Sequence, residues 1–269
     1  MLIRFALAAI LAATSVGAIP ATASPDCSAS GANVVCTRQG AVRGVVEDGT
    51  LAFKDIPYAR PPVGALRWRP PQPLASWRGV RDGSRFGPIC PQMVGKTVQG
   101  SEDCLTLNVW RPVTPPAQQL PVMIFLHGGG NFQLSGQGTA SFDHVAYNGH
   151  ALVPHGVVFV SYNLRLGALG FLTNPALDAE NPRHISGNYG SQDQIAMLRW
   201  VHDNIAQFGG DPNRIFLFGD SAGGGNICAL TTSPLAKGLI HGVAMQSSVP
   251  SGCELTTHAQ AEARSGVTV

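Results

Sequence analysis

Gly219-Asp220-Ser221-Ala222-Gly223 decides the fold through what flanks it. Arg214-Ile215-Phe216-Leu217-Phe218, just upstream, is apolar enough for a short buried strand. Ala222 to Leu230, just downstream, can wind into a helix. Glycines on both sides of the serine allow a sharp, strained turn, since no Cβ clashes with neighbouring backbone. Such a turn lifts the hydroxyl clear of the sheet and sets it at a helix N-terminus, which favours developing negative charge. This is the G-x-S-x-G nucleophile elbow in a strand–turn–helix setting, with Ser221 as candidate nucleophile. The pentapeptide alone also fits many ordinary turns.

A second motif adds weight. Pro121-Val122-Met123-Ile124-Phe125-Leu126 reads as a fully buried strand and runs directly into His127-Gly128-Gly129-Gly130. Acyl transfer passes through a tetrahedral oxyanion that needs aimed N–H donors in a dry site. Consecutive glycines let the backbone approach closely and point successive amides into one cavity. A flexible glycine turn is the plain alternative, but this motif upstream of an elbow favours the oxyanion loop.

Beyond these motifs the chain resembles a known family. Glu102-Asp103-Cys104-Leu105-Thr106-Leu107-Asn108-Val109 is similar to the second signature of the type-B carboxylesterases, which include the cholinesterases. Ile56 to Gly64, Arg165 to Phe171, and the run from Gly187 through Phe208-Gly209-Gly210-Asp211-Pro212 to the elbow match in the same order. The resemblance extends from about Thr37 to the end. It departs from the family's pattern at Asp220, where many members carry glutamate, and at Asp55, where a turn glycine is common. It implies an α/β-hydrolase fold: a mostly parallel central sheet with helices on both faces, truncated after the elbow region. It also implies ion pairs Arg67–Glu102 and Arg165–Asp193, both architectural, and supports a bridge between Cys90 and Cys104.

The chain has 269 residues, 44% hydrophobic and 13% charged, enough to bury a sizeable core. A net charge of +2 argues against nucleic acid or an anionic surface as partner. Arg4, the apolar stretch Phe5 to Val16, and Ala21-Thr22-Ala23 read as a secretory signal peptide over 1–23, leaving 24–269 as the mature hydrolase portion. No other segment is long and apolar enough for stable membrane insertion. The expected location is outside the cytoplasm, extracellular or periplasmic. All 6 cysteines lie beyond the cleavage point, and their order suggests Cys27–Cys36, Cys90–Cys104 and Cys228–Cys253. Neither a Cys-x-x-Cys nor clustered histidines occur, so no metal site is expected, and the chemistry requires no cofactor.

Asn33 to Arg38 and Ala41 to Glu47 suggest an antiparallel hairpin around Gln39-Gly40. Buried strands are expected at Leu107–Trp110, Val122–Leu126, Val157–Val160, Ile215–Phe218 and Val243–Met245. Ile195, Leu198, Val201, Ile205 and Phe208 form the inward stripe of a helix ended by Gly209-Gly210. Trp200 on that helix reads as packing, and His241 as a structural histidine opening a strand.

Ser221 needs a base, and the base needs a carboxylate to orient it, in the chain order serine, acid, histidine. Downstream the chain offers only His241 and His258, with Glu254 and Glu262. Glu254 and His258 sit four residues apart in one expected helix, whereas this fold draws acid and histidine from loops after two later strands. The expectation is therefore a secreted serine hydrolase whose triad acid and histidine are missing from this chain. Ser221 would attack a small carboxylic ester, and the N–H groups of Gly129, Gly130 and Ala222 would hold the oxyanion. The short Cys90–Cys104 gap lacks the tryptophan that cholinesterases carry in the corresponding loop, which favours a generalist or aryl esterase. The alternatives are a non-catalytic esterase-like binding or adhesion module, against which the intact serine and glycines argue, and an inert truncated product.

Overall fold

The computed structural model describes residues 31, 33–138, 146–248, 253 and 256–265. The expected signal peptide, Cys27 and Glu254 lie outside them.

The strands are β1 (Val34–Cys36), β2 (Ala41–Arg43), β3 (Val45–Glu47), β4 (Thr50–Pro57), β5 (Val80–Asp82), β6 (Gln92–Val94), β7 (Thr97–Gln99), β8 (Thr106–Pro112), β9 (Leu120–Leu126), β10 (Val158–Tyr162), β11 (Gly210–Asp220) and β12 (Gly242–Gln246). The helices are α1 (Gly167–Phe171), α2 (Pro175–Ala179), α3 (Tyr189–Asn204), α4 (Ala222–Thr232) and α5 (His258–Ser265). Seven strands form the main sheet in the order β12-β11-β9-β10-β8-β4-β3. β12, β11, β9 and β10 run parallel, and β8, β4 and β3 continue antiparallel. Every strand expected from a buried run is present.

The N-terminal hairpin differs from its expected form. β1 pairs with β2, but the second arm breaks at Gly44, and β3 crosses to pair with β4 in the main sheet. A side chain at Gly44 would meet the Ala52 carbonyl at 2.6 Å, so the break is where the two sheets press together. β4, not anticipated as a strand, is buried along most of its length. Polar Thr50, Lys54 and Asp55 interrupt its apolar run and hid it. Asp55 proves to lie in a bulge inside β4, where the register with β8 shifts, rather than in a turn. Its φ of 55° explains why glycine suits the position.

Residues of the parallel strands alternate between two faces. Val122, Ile124, Leu126, Ile215 and Leu217 join one core with the buried stripe Ile195, Leu198, Val201, Ile205 and Phe208 of α3 and its 3-10 extension. Ile227 and Leu230 of α4 complete it. Trp200 is buried there, its ring centroid 6.2 Å from that of Phe208. The opposite face carries Trp110, Phe159 and Val153, with Met123, Phe125 and Phe218 only partly covered. Among the described residues that face holds the short 3-10 turn Val153–His155 rather than a full helix. Among the described residues β12 pairs only with β11, and Val243 and Met245 on it are exposed.

Both architectural ion pairs form. Arg165 grips Asp193 through Nε and a second guanidinium nitrogen at 2.8 and 2.7 Å, wholly buried. Arg67 grips Glu102 at 2.7 and 2.5 Å nearer the surface. Cys90–Cys104 and Cys228–Cys253 are bonded, with Cα separations of 5.1 and 5.5 Å. Cys36 is also disulfide-bonded.

Candidate active site

β11 carries the chain to the carboxyl edge of the parallel strands, and α4 takes it away. Ser221, between them, has φ 56° and ψ −118°, a conformation that L-residues hold only under constraint. The constraint is close packing. A side chain on Gly223 would stand 2.0 Å from the Leu126 carbonyl oxygen, and one on Gly219 2.7 Å from it. The elbow glycines are thus required because the end of β9 lies against the turn. The Ser221 N–H donates to the Gln246 carbonyl at 2.9 Å, tying the elbow to β12, while its own carbonyl accepts the Gly225 N–H as α4 begins. The serine side is exposed, where a reacting group can reach it.

The glycine loop after β9 lies beside the serine. A side chain on Gly128 would meet Cβ of Ser221 at 3.2 Å. Gly129 and Gly130 have φ of 84° and 63°, and a side chain on either would strike Gln133 or the Phe132 ring. The Gly129 carbonyl faces back into the loop, accepting from the N–H groups of Phe132 and Gln133 at 3.0 and 3.2 Å. Nδ1 of buried His127 donates to the Gly128 carbonyl at 3.0 Å, leaving Nε2 as an acceptor with no hydrogen-bond partner. Burial pushes the His127 imidazole down to about 4. The ring is therefore neutral and fixes a peptide unit of the loop.

Two contacts that sequence reading missed hold this loop. Asn131 and Asn226 exchange side-chain hydrogen bonds of 2.8 and 3.4 Å, joining the loop to α4. Gln92, on β6, meets the backbone of Leu134 through both ends of its amide. Asparagines and glutamines carry no spacing signature, so neither could be picked out from sequence. Beside the loop opens a groove of about 560 Å³ whose lining includes Gly130, Phe132, Ala168, Phe171, Leu172 and Arg264. Phe132 is 66% exposed there, which presents an aromatic face to any ligand.

The structure brings Ser221 and the glycine loop together but brings no histidine to Ser221 among the described residues' hydrogen bonds. Nδ1 of His241 accepts from the Ile215 N–H at 3.3 Å. Ile215 precedes Ser221 by six residues of extended strand, roughly 20 Å, so His241 serves the strand as expected. Nε2 of His258 lies 3.2 Å from Asp178 on α2. Asp178, His258 and Glu262 form a cluster, unanticipated from sequence, in which one ligand atom from each lies within 4.8 Å of the others.

A strained serine between β-strand and helix, on a sheet of this order and beside a glycine loop, defines the α/β-hydrolase fold. The carboxylesterase family's sequence model matches residues 31–266, and the chain belongs to that family. It is 48% identical over 216 residues to fumonisin B1 esterase of Sphingopyxis macrogoltabida, covering 78% of this chain and 39% of that protein. It is 41% identical over 222 residues to para-nitrobenzyl esterase of Bacillus subtilis, covering 80% and 43%. Among solved structures it is similar to a PNB esterase, with a TM-score of 0.77 at 40% identity over 87% of this chain and 47% of the other. A carboxylesterase of Geobacillus stearothermophilus gives 0.70 at 40% identity, over 78% and 42%. The chain thus spans about two-fifths of the length of the curated relatives it matches.

Proposed function

We propose that this chain is the nucleophile-bearing part of a serine hydrolase that cleaves small carboxylic esters through an acyl-enzyme on Ser221. The contact between the elbow and the glycine loop carries the reading: Gly128 abuts Ser221 while Gly129 and Gly130 adopt backbone conformations open to glycine. In the proposed reaction Ser221 Oγ attacks the ester carbonyl and its proton passes to a base. The oxyanion forms within reach of the Gly129, Gly130 and Ala222 N–H groups, the last at the N-terminus of α4. The alcohol then leaves, and water hydrolyses the acyl-enzyme. In this reading the base and its carboxylate are groups other than His241 and His258, which are engaged with Ile215 and Asp178. The exposed Phe132 face favours esters with an apolar or aryl group.

We also propose that the protein acts outside the cytoplasm. The leader-like sequence supports this, as do the disulfides, which persist in oxidising compartments. Among the described residues no helix is long and apolar enough to cross a membrane.

The test is to treat the natural gene product with a fluorophosphonate probe and map the adduct. Labelling should fall on Ser221 and vanish in Ser221→Ala. Full labelling in that variant, or none in the wild type, would reject the catalytic reading; the latter would favour a binding module.

A further inference from the structure

We propose that Gln92 is a positioning residue for the glycine loop: its side-chain amide clamps Leu134 and thereby couples the loop to the disulfide-closed segment between Cys90 and Cys104. The role assigned to the loop rests on the esterase reading above; the clamp itself is a separate matter of geometry.

Leu134 ends the loop in a costly conformation. Its φ is 77°, in the left-handed region that non-glycine residues avoid, and it is buried. Such strain persists only where neighbours over-determine it. Gln92 is that neighbour. Its Oε1 accepts the Leu134 N–H at 2.7 Å and its Nε2 donates to the Leu134 carbonyl at 2.9 Å. The two bonds reproduce what an adjacent strand would give a single residue. The same Nε2 donates its other proton to the Cys90 carbonyl at 3.1 Å. With two carbonyls on one side and an N–H on the other, only one orientation of the amide satisfies all three partners. No other side chain of this size supplies an acceptor and two donors in that layout; a glutamate would set a second acceptor against two carbonyls.

The anchor behind Gln92 is firm. Gln92 is 7% exposed, two residues after Cys90, whose bridge to fully buried Cys104 fastens the segment just before β8. The opposite end of the glycine loop is fixed by β9. Between these anchors run Gly129 and Gly130, which have no side chains with which to hold themselves. Asn131, tied to Asn226, holds the middle of the loop, and its far end is set by Leu134, which Gln92 holds in place.

Gln92→Met keeps the size and removes the clamp; Gln92→Glu restores the two Leu134 bonds only when protonated, since the acid form has one donor and one acceptor, and leaves the Cys90 carbonyl unmet. In the natural gene product, Gln92→Met should slow fluorophosphonate reaction at Ser221 and lower kcat on p-nitrophenyl acetate by about ten- to a hundredfold, with KM little changed, the mark of a misaimed transition-state donor. Gln92→Glu should recover toward wild type as pH falls, a profile absent from the parent. Hydrogen exchange at the Leu134 amide should quicken in Gln92→Met while amides of β9 stay protected. A wild-type rate in Gln92→Met, or an unchanged pH profile in Gln92→Glu, overturns the proposal. Should the parent show no Ser221 reactivity, the esterase reading fails and exchange alone decides the clamp. Wild-type protection of Leu134 in Gln92→Met then rejects it. If Gln92→Met does not fold, Gln92→Glu carries both measurements.

Discussion

Asn131 of the glycine loop and Asn226 of the elbow helix are bound side chain to side chain, at 2.8 and 3.4 Å, across 95 residues of sequence. The pair ties the two halves of the site, and Asn226 is buried while doing so. Removing one partner leaves an amide without its mate, at about 1–3 kcal/mol. Asn131→Ala and Asn226→Ala should each lower stability by about that much in urea denaturation. The double variant should cost less than the two losses added. Strict additivity would mean the bonds do not couple the elements.

Ser221 is held where glycine would rest more easily, at φ 56° and ψ −118°. Ser221→Gly should therefore stabilise the fold by about 1–2 kcal/mol while abolishing probe labelling. A urea midpoint equal to or below the parent's would show that the elbow is unstrained.

His127 makes stability depend on pH. Its folded value, near 4, lies below the ordinary 6.5, so the unfolded chain binds the extra proton between those limits. The contribution of its neutral burial is fully present above about pH 6.5 and is lost as pH falls toward 4. It amounts to roughly 3 kcal/mol over that window. Urea curves at pH 7.5 and 4.5, compared with those of His127→Asn, should show the variant losing less stability on acidification. Equal losses would mean His127 is not buried neutral.

Asp55 occupies a left-handed bulge position in β4, and burial pushes its carboxyl above the usual carboxylate range. Both effects oppose folding at neutral pH, and the second fades as acid protonates the group. Asp55→Gly should raise the urea midpoint, by about 1 kcal/mol from backbone relief alone. The gain should shrink as pH falls through the raised folded value toward the ordinary 3.8. A loss of stability would mean the Arg81 contact at 3.6 Å outweighs the strain.

The parallel half of the sheet was legible because β9, β10, β11 and β12 are short apolar runs set between connections of helical period or glycine-rich loops. The strand–turn–helix at Ser221 and the glycine loop after β9 were legible because close-packed turns restrict residue type to glycine at fixed spacing. β4 was hidden because Lys54 and Asp55 break its apolar run, and their partners Glu47 and Arg81 lie elsewhere in the chain. The break at Gly44 was hidden because it follows from contact with Ala52 rather than from any local preference. Gln92, Asn131 and Asn226 could not be read in advance for the same reason. Their meaning lies wholly in backbone and side chains distant in sequence.

The order of the main sheet also sets a schedule. β9 is flanked by β10 and β11, both made after it. One of its edges waits for about 30 residues of further synthesis and the other for about 90. At 5–20 residues per second, the second edge stays bare for roughly five to twenty seconds on the ribosome. Among the described strands, the one that leads into His127 thus waits longest for a neighbour, and its second edge closes only when the serine turn itself has been made.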